Sequence, residues 1–175
     1  PACDAVRILN EDKEIKALKD ASQCQVMATA SYLDEETGIR VPLKILIDLC
    51  PAVDSHWGKS LCDLKTTATA DMGAWTKQVH KHNLHVQAAL YLDVWTACTG
   101  EDRVEFRHIV QESYAPYETV LRILSTEYVE LGRLKYQDAL RKYCQCLKTG
   151  IWPSYEARSS FDGWQCVEPE PWMVQ

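Results

Sequence analysis

No run of about 18 apolar residues occurs in this 175-residue chain, so nothing in it reads as a membrane span. No charged and apolar leader precedes the first expected element, which argues against export. No glycine-rich phosphate loop follows any expected strand, which disfavours a doubly wound nucleotide fold. Internal repeats and low-complexity tracts are missing too. The chain opens at Pro1 without an initiator Met, as a processed or trimmed fragment with functional residues upstream would.

What is present describes a folded domain. Hydrophobic residues make up 46% of the chain, charged residues 25%, and there are six Trp, enough for a sizeable core in one domain. The net charge of −6 gives no general attraction for nucleic acid, although a local basic patch could still supply one. Several of the eight cysteines lie within apolar runs, where a free thiol behaves as a small hydrophobe. Reduced thiols and a cytoplasmic location are the expectation.

Taken in order, the chain predicts a helix over 11–23 and a half-buried strand over Val26–Tyr32. A turn at Asp34–Gly38 and a long strand from Ile39 follow. Pro42 removes one ladder donor, so this strand is expected to begin at a sheet edge or carry a bulge there. A turn near Asp54–Trp57 leads into a strand over Leu61–Thr67, completing a meander. Helices are expected over 71–83 and 84–96, the second burying Leu84, Ala88, Leu92 and Trp95 on one stripe. Strands over 104–111 and 117–124 precede a long helix over 126–148, capped by Ser125 and ended by Gly150. Its apolar stripe is Val129, Tyr136, Leu140, Tyr143 and Leu147. The expected architecture is an α/β (α+β) domain with a central mixed sheet flanked by helices. The last stretch, with Trp164 and Trp172, has no period and reads as a tail over 156–175 that packs on the domain or on a neighbouring subunit.

Chemistry concentrates in Ile45–Thr67. Strand alternation puts Asp63 and Lys65 on one face, and a hairpin brings Asp48 roughly opposite Asp63. Like charges so placed repel, and a bound cation removes the penalty. Two carboxylates aimed at one point suit Mg²⁺ or Mn²⁺, and a neighbouring lysine can hold a water or neutralise charge developing on phosphorus. An Asp-x-Lys triplet alone arises often by chance on solvated strand faces, and Gln87 with Tyr91, one turn apart, could border a buried helix face.

The combination is more specific. Asp48, a hairpin, Asp63-Leu64-Lys65-Thr66-Thr67, then Gln87-x-x-x-Tyr91-Leu92-Asp93 and the closing Gly150-Ile151-Trp152-Pro153-Ser154-Tyr155 resemble the PD-(D/E)xK nuclease superfamily. The pattern over roughly 25–155 is similar to its RecE-type branch, the exodeoxyribonuclease VIII-like proteins of phages and prophages. The resemblance implies a restriction-endonuclease-like nuclease domain over 1–155. It implies Mg²⁺ (or Mn²⁺) held by Asp48, Asp63 and the Leu64 carbonyl, with Lys65 as the catalytic lysine and Gln87 and Tyr91 positioning DNA. It further implies exonuclease action on double-stranded DNA ends in recombination, a homo-oligomeric ring around DNA, and a single-strand annealing protein as partner. The family's additional helical ligand has no match here, since Asp12, Glu14 and Asp20 sit in no recognisable motif.

Other readings stand beside this one. The fold could serve an endonuclease or a CRISPR-associated end trimmer, or a catalytically inactive domain kept for DNA binding. Lys77 and Lys81, one turn apart, could touch the phosphate backbone. His80, His82 and His85 lack the i, i+4 spacing of a helical metal pair and read as a solvated, weakly basic surface. Cys144-Gln-Cys146 with Cys3 and Cys166 lacks the Cys-x-x-Cys spacing of an iron–sulfur site, so core thiols are expected.

Overall fold

The computed structural model describes residues 2–154, so the expected tail over 156–175 lies outside the described residues. The N-terminal region holds two helices rather than one, α1 (Ala2–Glu11) and α2 (Lys13–Asp20). Asp12 breaks the run because its Oδ1 accepts from the Glu14 and Ile15 amides at 2.9 Å, capping a new helix. The second ends early because Ser22 already opens the first strand, donating its hydroxyl to the Leu18 carbonyl at 2.6 Å.

Strands β1 (Ser22–Leu33), β2 (Arg40–Pro51) and β3 (Ser60–Thr67) form the expected meander. Two helices, α3 (Met72–Lys81) and α4 (Leu84–Thr99), cross over to β4 (Glu105–Glu112), which runs parallel to β3. Strand β5 (Thr119–Ile123) and helix α5 (Thr126–Thr149) complete the described chain. The sheet order is β1-β2-β3-β4-β5, with one parallel pair among antiparallel ones. Leu49 and Cys62 are the register pair that joins β2 to β3. Pro42 lies on a part of β2 paired only with β1, where its missing donor costs no ladder bond to β3.

One sheet face carries Ile45, Ile47, Leu61, Phe106 and Val110 into a core with Trp75, Val79, Ala88, Leu92 and Trp95 of α3 and α4. The other face carries Cys62 and Ile109 against Ile15 and Leu18 of α2. Among the described residues no helix is long and apolar enough to cross a membrane. The expected stripe of α5 is only partly covered: Val129 is buried, Tyr136 and Leu140 half-buried, Tyr143 and Leu147 exposed. Asp71 and Ser125 cap α3 and α5, and Gly150 ends α5 with a left-handed backbone, φ 71°.

Helix α5 lies on α4 so closely that a Cβ on Gly132 would sit 2.0 Å from the His85 carbonyl oxygen. Gly132→Ala must therefore push the two backbones apart. Overpacking of this kind costs about 1–3 kcal/mol. For a domain of this size each kcal/mol lowers Tm by about 2–4 °C, a loss that thermal denaturation reads directly.

Candidate active site

Strand β3 carries Asp63 and Lys65 on the face of Leu61, toward α4. Asp63 is only 4% exposed, so its charge needs partners. It has two: the Lys65 ammonium lies 2.6 Å from Oδ2, and Gln87 of α4 donates its side-chain amide to Oδ1 at 3.0 Å. Asp48 enters from β2, where Oδ2 accepts the Leu64 amide at 2.9 Å and Oδ1 accepts the Gln25 side-chain amide at 3.0 Å. A carboxylate thus takes a strand N–H just beyond the Leu49–Cys62 pair.

Burial pushes the Asp63 carboxyl above its ordinary value. The Lys65 ammonium opposes that push, the Asp48 charge adds to it, and the Gln87 amide opposes it. Two acids crowded this way, one of them buried, suit a hard divalent cation, which relieves both the burial and the repulsion. Among the described residues no group of three or more His, Cys, Asp or Glu side chains could hold a metal. An ion here would take two side-chain ligands, leaving its other positions for water, a carbonyl or phosphate oxygens, an arrangement Mg²⁺ accepts. The residues present fit such an ion.

The sequence candidates are thus brought together in part. Asp48, Asp63, Leu64, Lys65 and Gln87 converge. Tyr91, one turn beyond Gln87, packs its half-buried ring edge-on to Phe106, centroids 5.9 Å apart. Lys77 lines a surface hollow of about 720 Å³ with His80, Ser125, Tyr128 and Leu131, and Lys81 is exposed at the end of α3. Neither lysine appears among the hydrogen-bond and ion-pair partners of Asp48, Asp63 and Lys65. Asp12 is spent on capping α2, whose buried residues pack on the opposite sheet face, so α2 supplies no further ligand to the cluster.

One expectation is corrected. His85 is not part of a solvated surface: it is fully buried between His80 and Tyr128, with Nδ1 3.3 Å from the Val79 carbonyl. Its place at the first turn of α4, beneath Gly132, takes it inside.

Sequence reasoning missed two residues around the acids. His108 is the register partner of Asp63 on β4, fully buried between the edges of Trp75 and Phe106. Burial, reinforced by the Lys65 charge, holds its imidazole down to about 3, so it stands uncharged beside the cluster. Its position between Phe106 and Val110 in an alternating strand was the available signal. Gln25 left no signal, because its contact to Asp48 depends on a backbone irregularity that no residue pattern announces.

Residues 7–160 match the model of a family described as PDDEXK-like domain of unknown function (DUF3799). The fold is similar to the crystal structure of "Putative exonuclease" from Eubacterium rectale, with a TM-score of 0.67 and 18% identity. That match covers 99% of this chain and 63% of the other, so the chain spans less than two thirds of that protein's length. A crystal structure of SSO0001 aligns over 88% of this chain and 71% of its own, at 15% identity and a TM-score of 0.41, too low to argue from. Comparison with curated proteins matches none.

Proposed function

The chain belongs to this PDDEXK-like family, hence to the PD-(D/E)xK nuclease superfamily, and from that premise we propose that it is a Mg²⁺-dependent exonuclease. Its substrate is double-stranded DNA, hydrolysed at phosphodiester bonds from the ends. The observation that carries the proposal is the convergence of Asp48, Asp63 and Lys65, with Asp63 buried and crowded by the second acid.

Asp48 and Asp63 would hold the ion, and the Leu64 carbonyl is a further oxygen on the same strand. A divalent ion bound there would supply an activated water and neutralise charge on the phosphate. Lys65, relieved of part of its attraction to Asp63, holds the attacking water or pairs with the phosphoryl oxygen that gains charge. Gln87 keeps Asp63 in orientation from α4. Tyr91 and the basic side chains Lys77 and Lys81 are proposed to meet the DNA beyond the scissile bond. End-directed action, a role in recombination, a ring-shaped homo-oligomer and a single-strand annealing partner are proposed from the resemblance to the RecE-type branch. The exonuclease name of the E. rectale protein supports the first of these.

Linear and covalently closed circular duplexes separate the readings. With Mg²⁺ the linear form is expected to be degraded and the circle left intact. Linearisation or nicking of the circle would overturn the exonuclease assignment in favour of an endonuclease. Neither form being cut, with Mg²⁺ or Mn²⁺, would favour an inactive DNA-binding domain, a reading that rests on there being two side-chain ligands among the described residues.

A further inference from the structure

We propose that Gln25 is a positioning residue for the metal centre, holding the Asp48 carboxylate in its ligating orientation through a kink built into the edge strand. The inference rests on the metal-centre reading above and deepens it.

Three observations carry it. First, Gln25 has φ 55°, the left-handed region that L side chains with a Cβ disfavour, within a 12-residue strand. Such strain persists only where the surroundings over-determine it, and it gathers at sites with a task. Second, the β1–β2 register is continuous on both sides, Cys24 facing Leu49 and Val26 facing Ile47, yet the pair between them, Gln25 and Asp48, drops out of the ladder. Third, the freed side chains meet each other: Gln25 Nε2 donates to Asp48 Oδ1 at 3.0 Å, while Oδ2 takes the Leu64 amide.

The kink also changes the phase of β2. Ile47 belongs to the core under α4, Leu49 to the cluster under α2, and Cys50 to the α4 core again. Strict alternation would leave Asp48 on the face of Lys44 and Leu46, turned from Asp63. The phase break falls at Asp48, the residue that must leave that face. With one oxygen held by the strand beside it and the other by Gln25, the carboxylate is fixed from two sides, and each oxygen keeps a lone pair for an ion. Partners of this kind orient metal ligands in other sites.

A kink could instead serve only to bend an exposed edge strand and block its pairing with other chains. Gln25→Gly separates the two, because glycine keeps the left-handed backbone without strain and deletes the amide. Gln25→Asn is the second variant, tolerant of the same backbone but one methylene too short for the same reach. On the full chain, calorimetry with Mn²⁺ alone should show affinity lowered roughly 10-fold or more in both variants, the scale seen for partners that hold ligands in place. In EDTA the Leu64 amide should exchange faster, with Tm of Gln25→Gly unchanged or raised. The Mg²⁺ concentration needed for cleavage should rise in step, with KM for DNA unchanged. Wild-type Mn²⁺ affinity and wild-type Leu64 exchange in Gln25→Gly would overturn the positioning role while leaving the metal centre standing. Absence of Mn²⁺ binding by the wild type would overturn both.

Discussion

Replacing Lys65 by alanine is expected to lower Mg²⁺-dependent degradation of linear duplex by roughly 10²–10³-fold, the scale for removing one electrostatic stabiliser of a transition state. The reason lies in where the ammonium sits. It is 2.6 Å from an Asp63 oxygen, with its side chain 28% exposed, so it borders both the buried acid and the space that a phosphate would enter. The fold should survive, since Asp63 keeps the Gln87 amide and can meet its lost partner by binding a proton. Lys65→Arg sharpens the test. It restores a positive charge beside Asp63 but replaces a compact ammonium with a longer planar fork, so stability should return and the rate should not. Circular dichroism and thermal denaturation report the fold, and a gel of linear duplex reports the rate. Undiminished degradation by Lys65→Ala would sink the proposed mechanism.

Asp63→Asn should have the opposite signature, a lost function with a gained stability. The carboxylate is buried and crowded by Asp48, so in metal-free protein the folded state binds a proton at this position more tightly than the unfolded chain does. A carboxyl raised above its unfolded value makes the fold less stable as pH climbs from about its ordinary 3.8 through the raised value. Asparagine has no such titration and keeps an oxygen for the Gln87 amide, so in EDTA the variant should melt higher than the wild type at pH 7. The difference should shrink as both are acidified toward 3.8. For a domain of this size each kcal/mol gained appears as about 2–4 °C in Tm. Calorimetry on the same variant should find Mg²⁺ and Mn²⁺ binding lost and duplex cleavage lost with it. A variant that melts lower than wild type in EDTA would show that Asp63 is a structural partner of Lys65 and Gln87 rather than a strained ligand.

These two residues were legible because the information they need is local. A period of two over Leu61–Thr67 puts Asp63 and Lys65 on one face, and the structure keeps that strand with one residue added at its start. The helices from Leu84 and Thr126 read correctly for the same reason, the apolar stripe of the first and the caps at Ser125 and Gly150 of the second being matters of spacing within one element. Locality also explains the misses. Asp12 sits where a helix could continue by composition, and only its side chain's competition for two backbone amides shows that it begins a new one. His85 has a histidine's ordinary surface preference until α5 lies across it, allowed there by a glycine 47 positions later.

By itself, then, the sequence determined the elements from β2 onward, the face shared by Asp63 and Lys65, the turn that returns β2 toward β3, and a mixed sheet flanked by helices. The tertiary structure decided what depends on partners far apart in the chain. It set Gln87 of α4 on Asp63, seated His108 beside it through the parallel β3–β4 pair, and turned Tyr91 to Phe106. It also decided the orientation of Asp48, which alternation alone would assign to the wrong face. The physical reason is that side-chain periodicity is a property of one strand, whereas the phase break at Asp48 is made jointly by two strands, through a left-handed Gln25 and a skipped ladder pair.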